Sequence, residues 1–220
     1  MEAVKGWLAP LTGALAVAAL VAGGLIVGDV PDATDAAPPA APESPRPESA
    51  QEVVEFYVDN DDSVMGGSFL TGFGALLLVF FGGWLRRLLR DAEGPAGILS
   101  ATAFAGTIVF ATGIAVSATL NIAIADSADD IDPVAVQALN AFSWNFFIPF
   151  AVGLSLLLFS AGLSVIRHGA LPTWLGWVAL ILGIAAYTPA GFFVAIAGGA
   201  WIVVVSIMCA VQRRGSPATT

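Results

Sequence analysis

Four aspartates fall within seven residues, Asp126, Asp129, Asp130 and Asp132 in "ADSADDIDPV", and they are the densest ligand-like group in the chain. Carboxylate oxygens suit hard cations such as calcium, but the turn glycine and closing bidentate glutamate of a calcium loop are missing. Asp132-Pro133 is also a natural helix start, with Asp as N-cap and Pro in the first turn. Ser127 and Asp130 offer a second local cap. The spacing favours capping and solvation over metal binding.

Asn121, Asn140 and Asn145, with Thr119 and Ser143, lie towards the outer ends of two long apolar stretches. Together with Thr112 and Ser117 they could line a polar, outward-facing pocket for a neutral solute. The competing role is interhelical hydrogen bonding, at about 1 kcal/mol per contact. Pro149, in "NFFIPF", predicts a kink in the helix that carries two of the asparagines.

Other chemistry is thinly represented. No Asp, Glu, Lys, Arg or His lies within the apolar cores, whereas proton relays, ion-coupled carriers and voltage sensors normally need such groups there. His168 is the one histidine, so paired-histidine haem ligation within a chain is excluded. Cys209 is the one cysteine, a small apolar filler or a palmitoylation site. Nucleophile elbows, phosphate loops and paired carboxylates are absent. The expectation is a protein that is not an enzyme and needs no cofactor. A net charge of −9 argues against nucleic acid as a partner.

The elements that must carry these residues are apolar helices. Charged residues are only 11% of the chain, against about 25% in typical soluble domains. Six apolar segments stand out, at 7–27, 67–85, 97–125, 140–166, 171–187 and 190–211. Most approach the ~20 residues that cross a ~30 Å hydrocarbon core, and the fifth is short. An all-α, polytopic membrane protein with a bundle of six transmembrane helices follows, its first partner being the lipid bilayer.

Basic residues orient it. With the amino terminus inside and six crossings, Lys5, Arg86, Arg87, Arg90, Arg167, Arg213 and Arg214 are all cytoplasmic, and only Arg46 is outside. That is the asymmetry expected when short basic loops resist translocation. Both termini are then cytoplasmic, in the plasma membrane of a prokaryote. Arg86, Arg87 and Arg90 read as the cytoplasmic turn between the second and third helices. Fourteen of the 17 acidic residues fall on the outer side. The break at "YTPAG" reads as the outer turn of a two-pass hairpin, with a re-entrant pair as the alternative.

Residues 1–28 form an uncleaved first anchor, 29–66 an acidic outer segment, 67–214 the other five helices and 215–220 a tail. The outer segment begins Pro/Ala-rich and acidic. Its second half, "SAQEVVEFYVDND", predicts a short amphipathic helix with Ser49 and Glu52 as a capping box. Val53, Phe56 and Tyr57 share its apolar face, to lie on the membrane surface or on the bundle. Small residues four apart (Ala14, Ala18, Ala22; Gly191, Ala195, Gly199; Ser68, Gly72) suit close helix packing within the bundle or in a homo-oligomer.

The stretch "RHGALPTWLGWVALILGIAAYTPAG" and a last helix ending in "QRRG" resemble the DUF4386-type family of bacterial membrane proteins. Arg86 and Arg87, then Pro172, Trp174, Leu175, Gly176 and Trp177, carry the likeness, which implies six helices and transfers no activity or site residue. Without any family, Pro172 suits a helix start and the tryptophans an inner headgroup anchor. The functional expectation is an accessory or assembly component that meets a membrane or extracytoplasmic protein through its acidic outer face. The alternative is a transporter or channel-like protein for a neutral or apolar small solute.

Overall fold

The computed structural model describes the backbone of residues 2–28, 30, 31, 47–188 and 191–215, and the same side chains apart from 2–7, 47–49, 192 and 213–215. Among the described residues the secondary structure is entirely helical: α1 Glu2–Val27, α2 Pro47–Asp59, α3 Asp61–Glu93, α4 Ile98–Ser127, α5 Pro133–Asn145, α6 Ile148–His168, α7 Thr173–Ala185 and α8 Gly191–Gly215. Five stretches are long and apolar enough to cross a membrane: Leu8–Val27, Asp61–Glu93, Ile98–Ser127, Pro133–His168 and Phe193–Gln212. Helix α7 has 13 residues, about 20 Å of axis against a ~30 Å core.

Three expectations are corrected. Arg86, Arg87 and Arg90 are not in a turn, because α3 runs on to Glu93. Leu85 and Leu89, four apart, are both buried and hold the helix to its packed face. The arginines sit exposed, and Arg90 lies in the last turn, where a helix C-terminus favours positive charge. The turn is instead 94–97, with Gly94 at φ 76° and Gly97 at φ 50°, backbone that only glycine adopts readily. The fourth segment is likewise two helices, α5 and α6, parted at Phe146 and Phe147. Pro149 does not kink a continuous helix; it is the second residue of α6. Its ring would clash with the carbonyl of Asn145 in an unbroken helix, so the chain stops and restarts.

The described residues of Met1–Ala18, Phe73–Gly113 and Ile148–Thr220 form one compact unit, and those of Ala19–Gly72 and Ile114–Phe147 a second. In the first, glycines let backbones touch. A Cβ added at Gly153 of α6 would lie 2.6 Å from Phe110 Cα of α4, and one at Gly106 would lie 2.8 Å from the Gly153 carbonyl oxygen. Helices α6 and α7 run antiparallel. A Cβ at Gly162 would be 2.6 Å from the Gly176 oxygen, one at Gly183 would be 2.8 Å from Phe159 Cα, and the Ser155 hydroxyl donates to the Gly183 carbonyl. That register sets Thr188 beside Val152, about 6 Å along the axis from the start of α6. Helix α8 is pinned by the buried Trp201 indole N–H, which donates to the Leu175 carbonyl at 3.0 Å.

In the second unit, a Cβ at Gly23 of α1 would lie 2.7 Å from the Gly67 oxygen of α3, and one at Gly67 would lie 2.7 Å from the Gly23 oxygen. The buried positions of α1 include Ala19 and Gly23 here and Gly13 and Ala16 in the first unit, while Ala18 is exposed. The expected Ala14, Ala18, Ala22 stripe is out of phase with them. So is the Gly191, Ala195, Gly199 stripe, since over that stretch of α8 the buried positions are Val194, Gly198 and Trp201. The small residues that matter are those opposite backbone, and a spacing of four alone does not select them.

Candidate functional site

A buried cluster that joins distant polar residues lies in the second unit, under α2. Val53 and Tyr57 are fully buried there, with Val64 of α3, Ile124, Ala125 and Ala128 of α4 and its turn, and Val136 of α5. Phe56 packs edge-on to Tyr57, ring centroids 5.5 Å apart. The opposite side of α2 exposes Gln51, Glu52, Glu55 and Asp59. The amphipathic helix is thus seated on other helices, the second of its two expected places. It starts at Pro47, so Ser49 lies inside it and is not its N-cap. Its far end is closed by Asn60, whose side-chain amide donates to the Phe56 carbonyl at 2.8 Å.

A buried polar node fixes α2. The Tyr57 hydroxyl donates to Asn140 Oδ1 at 3.1 Å, and Asn140 Nδ2 donates to the Pro31 carbonyl at 2.9 Å. Tyr57 is wholly buried and Asn140 only 1% exposed. Burial disfavours the phenolate and pushes the Tyr57 hydroxyl up to about 12. A buried amide or hydroxyl without a partner would cost ~1–3 kcal/mol, so each group here makes the other tolerable.

The other candidate pocket residues do not converge on this node. Ser143 donates to Asn121 Oδ1 at 3.2 Å, a second and separate pair. Asn145 is exposed, its Nδ2 donating to the Ala141 carbonyl of its own helix at 2.8 Å. Thr119 is also exposed, its hydroxyl donating to Ala115 at 2.8 Å. Both satisfy themselves locally, as hydroxyl and amide side chains do on a helix.

In the acidic loop, Asp132 caps α5: its Oδ1 accepts from the Val134 amide at 2.8 Å, with Pro133 in the first turn. Ser127 does not cap Asp130 with its side chain; the hydroxyl donates back to Ala123, and the Ser127 carbonyl accepts the Asp130 and Ile131 amides. Asp126, Asp129, Asp130 and Asp132 are all exposed. Among the described residues no three His, Cys, Asp or Glu side chains come together as metal ligands.

The arginines are spread over helix ends. Arg86 holds its guanidinium 5.6 Å above the Phe104 ring, and Arg167 and His168 are exposed at the end of α6. The side chains of Arg213 and Arg214 lie outside the described residues. Cys209 is buried.

Sequence reasoning missed Glu93. Its carboxylate accepts the Ser100 amide of the first turn of α4 at 3.2 Å and the Ser164 hydroxyl of α6. The signal was available: an acid on the last residue of a helix opposes the macrodipole, and only the start of the next helix rewards it.

These features define a class, an all-helical protein whose several long apolar helices suggest a membrane-embedded chain. Comparison with protein-family models, curated proteins and solved structures returned no match.

Proposed function

We propose that this chain is a non-enzymatic, six-span component of a prokaryotic plasma membrane, both termini cytoplasmic, that engages a membrane or extracytoplasmic protein through the acidic face of α2. The observation that carries the reading is the seating of α2: a buried tyrosine–asparagine node orients it, and Glu52, Glu55 and Asp59 are left exposed on one side. Held in that rotation, the three carboxylates form one acidic face that a complementary surface of a partner can meet. Six crossings are supported by the α6–α7 register, which brings the α7–α8 turn within about 6 Å of the start of α6 despite the shortness of α7.

A place beside the DUF4386-type family belongs to the same proposal. Its residues open α7, with Pro172 at the N-cap and Trp174 and Trp177 exposed. The transport alternative needs Asn121, Asn140, Asn145, Thr119 and Ser143 around one path, and their separate hydrogen bonds do not favour it.

A photo-crosslinking residue at the exposed Val58, used in native membranes, tests the partner. A discrete adduct is expected, lost when Glu52→Gln, Glu55→Gln and Asp59→Asn are combined. No adduct at Val58, or one indifferent to the charges, would sink the reading. Orientation is tested with single cysteines in a Cys209→Ser background. An impermeant maleimide applied to intact cells should label Asp59→Cys and spare His168→Cys; labelling of the latter reverses the topology.

A further inference from the structure

Helix α5 has 13 residues and carries no charge. One face, with Val136, Gln137 and Asn140, is buried against its surroundings. The other exposes Val134, Ala135, Ala138, Leu139 and Phe142 within one arc of the helix, Phe142 at 54%, and the polar Asn145 enters that arc only at the helix's last residue, next to α6. A helix that met water on this side would carry polar residues there, as a surface helix does. Its neighbour does so: α2 packs against α5 and exposes Gln51, Glu52, Glu55 and Asp59. The pair is thus polar on the free side of α2 and apolar on the free side of α5.

Chain length limits where α5 can sit. Only Phe146 and Phe147 separate it from α6, so Asn145 and Ile148 are at most about 11 Å apart. Helix α6 has 21 residues, about 31 Å, which by itself fills the hydrocarbon core. Helix α5 must then end within the interfacial layer, where Trp is favoured; Trp144 is exposed on its last turn, and Phe147 follows.

We infer that α5 is an interfacial helix whose exposed Val134–Leu139–Phe142 face is immersed in the outer leaflet, with α2 laid over it as the polar layer that faces water. An ordinary interfacial helix carries its own charged face. Here that face is supplied by a second helix, and the Tyr57–Asn140 hydrogen bond is the seam between them. The inference rests on the reading that the chain spans a membrane, and goes beyond it in assigning lipid as the occupant of the α5 face.

The test uses full-length protein with Cys209→Ser, reconstituted in phosphatidylcholine–phosphatidylglycerol vesicles. Single nitroxide labels are placed at Val134, Leu139 and Phe142, and at Glu52, Glu55 and Asp59, all exposed positions that accept a label without repacking. Collision with oxygen reports lipid, and collision with a nickel chelate reports water. The oxygen-to-nickel ratio is expected to be several-fold higher at the α5 sites than at the α2 sites. A water-like ratio at Leu139 and Phe142 overturns the inference. So does protection from both reagents, which would mean a second copy of the chain covers the face. Labels at Leu156 and Ile207, exposed on α6 and α8, keep the two readings apart: if they too read as water, the spanning reading fails, and if they read as lipid while α5 does not, only the α5 assignment fails.

Discussion

Replacing Tyr57 by Phe removes a single oxygen from a site with no exposure to solvent. The ring, its contact with Phe56 and the apolar packing of α2 all remain. What is lost is the 3.1 Å hydrogen bond, and Asn140 Oδ1 is left buried without its donor. Leaving one buried acceptor unsatisfied costs about 1–3 kcal/mol. If α2 opens as a local unit, this appears as hydrogen exchange at the amides of residues 53–58 that is roughly 5- to 150-fold faster, at 1.4 kcal/mol per tenfold. The measurement belongs in lipid nanodiscs, with the amides of α6 as the internal control that should not change. Val53→Ala, which trims a fully buried side chain, provides the comparison: it must speed exchange through lost packing. If Tyr57→Phe stays within about twofold of the unaltered protein while Val53→Ala speeds exchange, the node contributes nothing and the account of how α2 is held is wrong.

The phenol itself gives a pH test in a Tyr187→Phe background, where ultraviolet titration sees Tyr57 alone. Its folded pKa is raised from 10.0 to about 12 by burial, so the docked state keeps its full stability below pH 10 and loses it as pH rises through 12; titration at the ordinary value would mean the ring is not buried. Gly153→Ala forces a Cβ to within 2.6 Å of Phe110 Cα and should destabilise by about 1–3 kcal/mol in a thermal melt in detergent. Gly72→Ala, where a Cβ meets nothing within 4 Å, should be neutral or stabilising, and equal effects at the two sites would contradict the close α4–α6 crossing. Glu93→Ala removes the acceptor for the Ser100 amide and should cost about 1 kcal/mol, the usual size of a lost helix cap, read as faster exchange confined to the first turn of α4.

The all-helical class and the several long apolar helices were legible because hydropathy and length are local properties of the sequence. The Asp132-Pro133 start of α5 was legible for the same reason: a cap is decided within three residues. Boundaries failed where a distant surface decided them. Leu85 and Leu89 keep α3 helical past the arginines because both are buried by packing, and their neighbours are not adjacent in sequence. The asparagines make the point sharply. Asn140, Asn145 and Asn121 look alike as polar residues in apolar stretches, yet one joins Tyr57 across 83 positions of chain, one bonds its own helix and one meets Ser143. A helix period tells which residues share a face, and it does not tell which other helix that face will meet.

The fate of Asn140 explains how the acidic face of α2 is placed. A short helix such as α2, at 13 residues, is marginal by itself in water. Its apolar side needs a partner surface, and its carboxylates need hydration. Docking on the buried side of α5 satisfies both, but only in one rotation: turning α2 by half a turn would bury Glu52 and Glu55 and expose Val53 and Tyr57. Apolar burial disfavours that rotation, and the directional hydrogen bond from Tyr57 to Asn140 also fixes where along α5 the helix rests. The carboxylates of Glu52, Glu55 and Asp59 are therefore held in a set orientation by residues that never touch solvent. On the proposed reading that α2 meets another protein, this fixed array would make the position of the charges matter, because electrostatic complementarity selects a partner through geometry more than through strength.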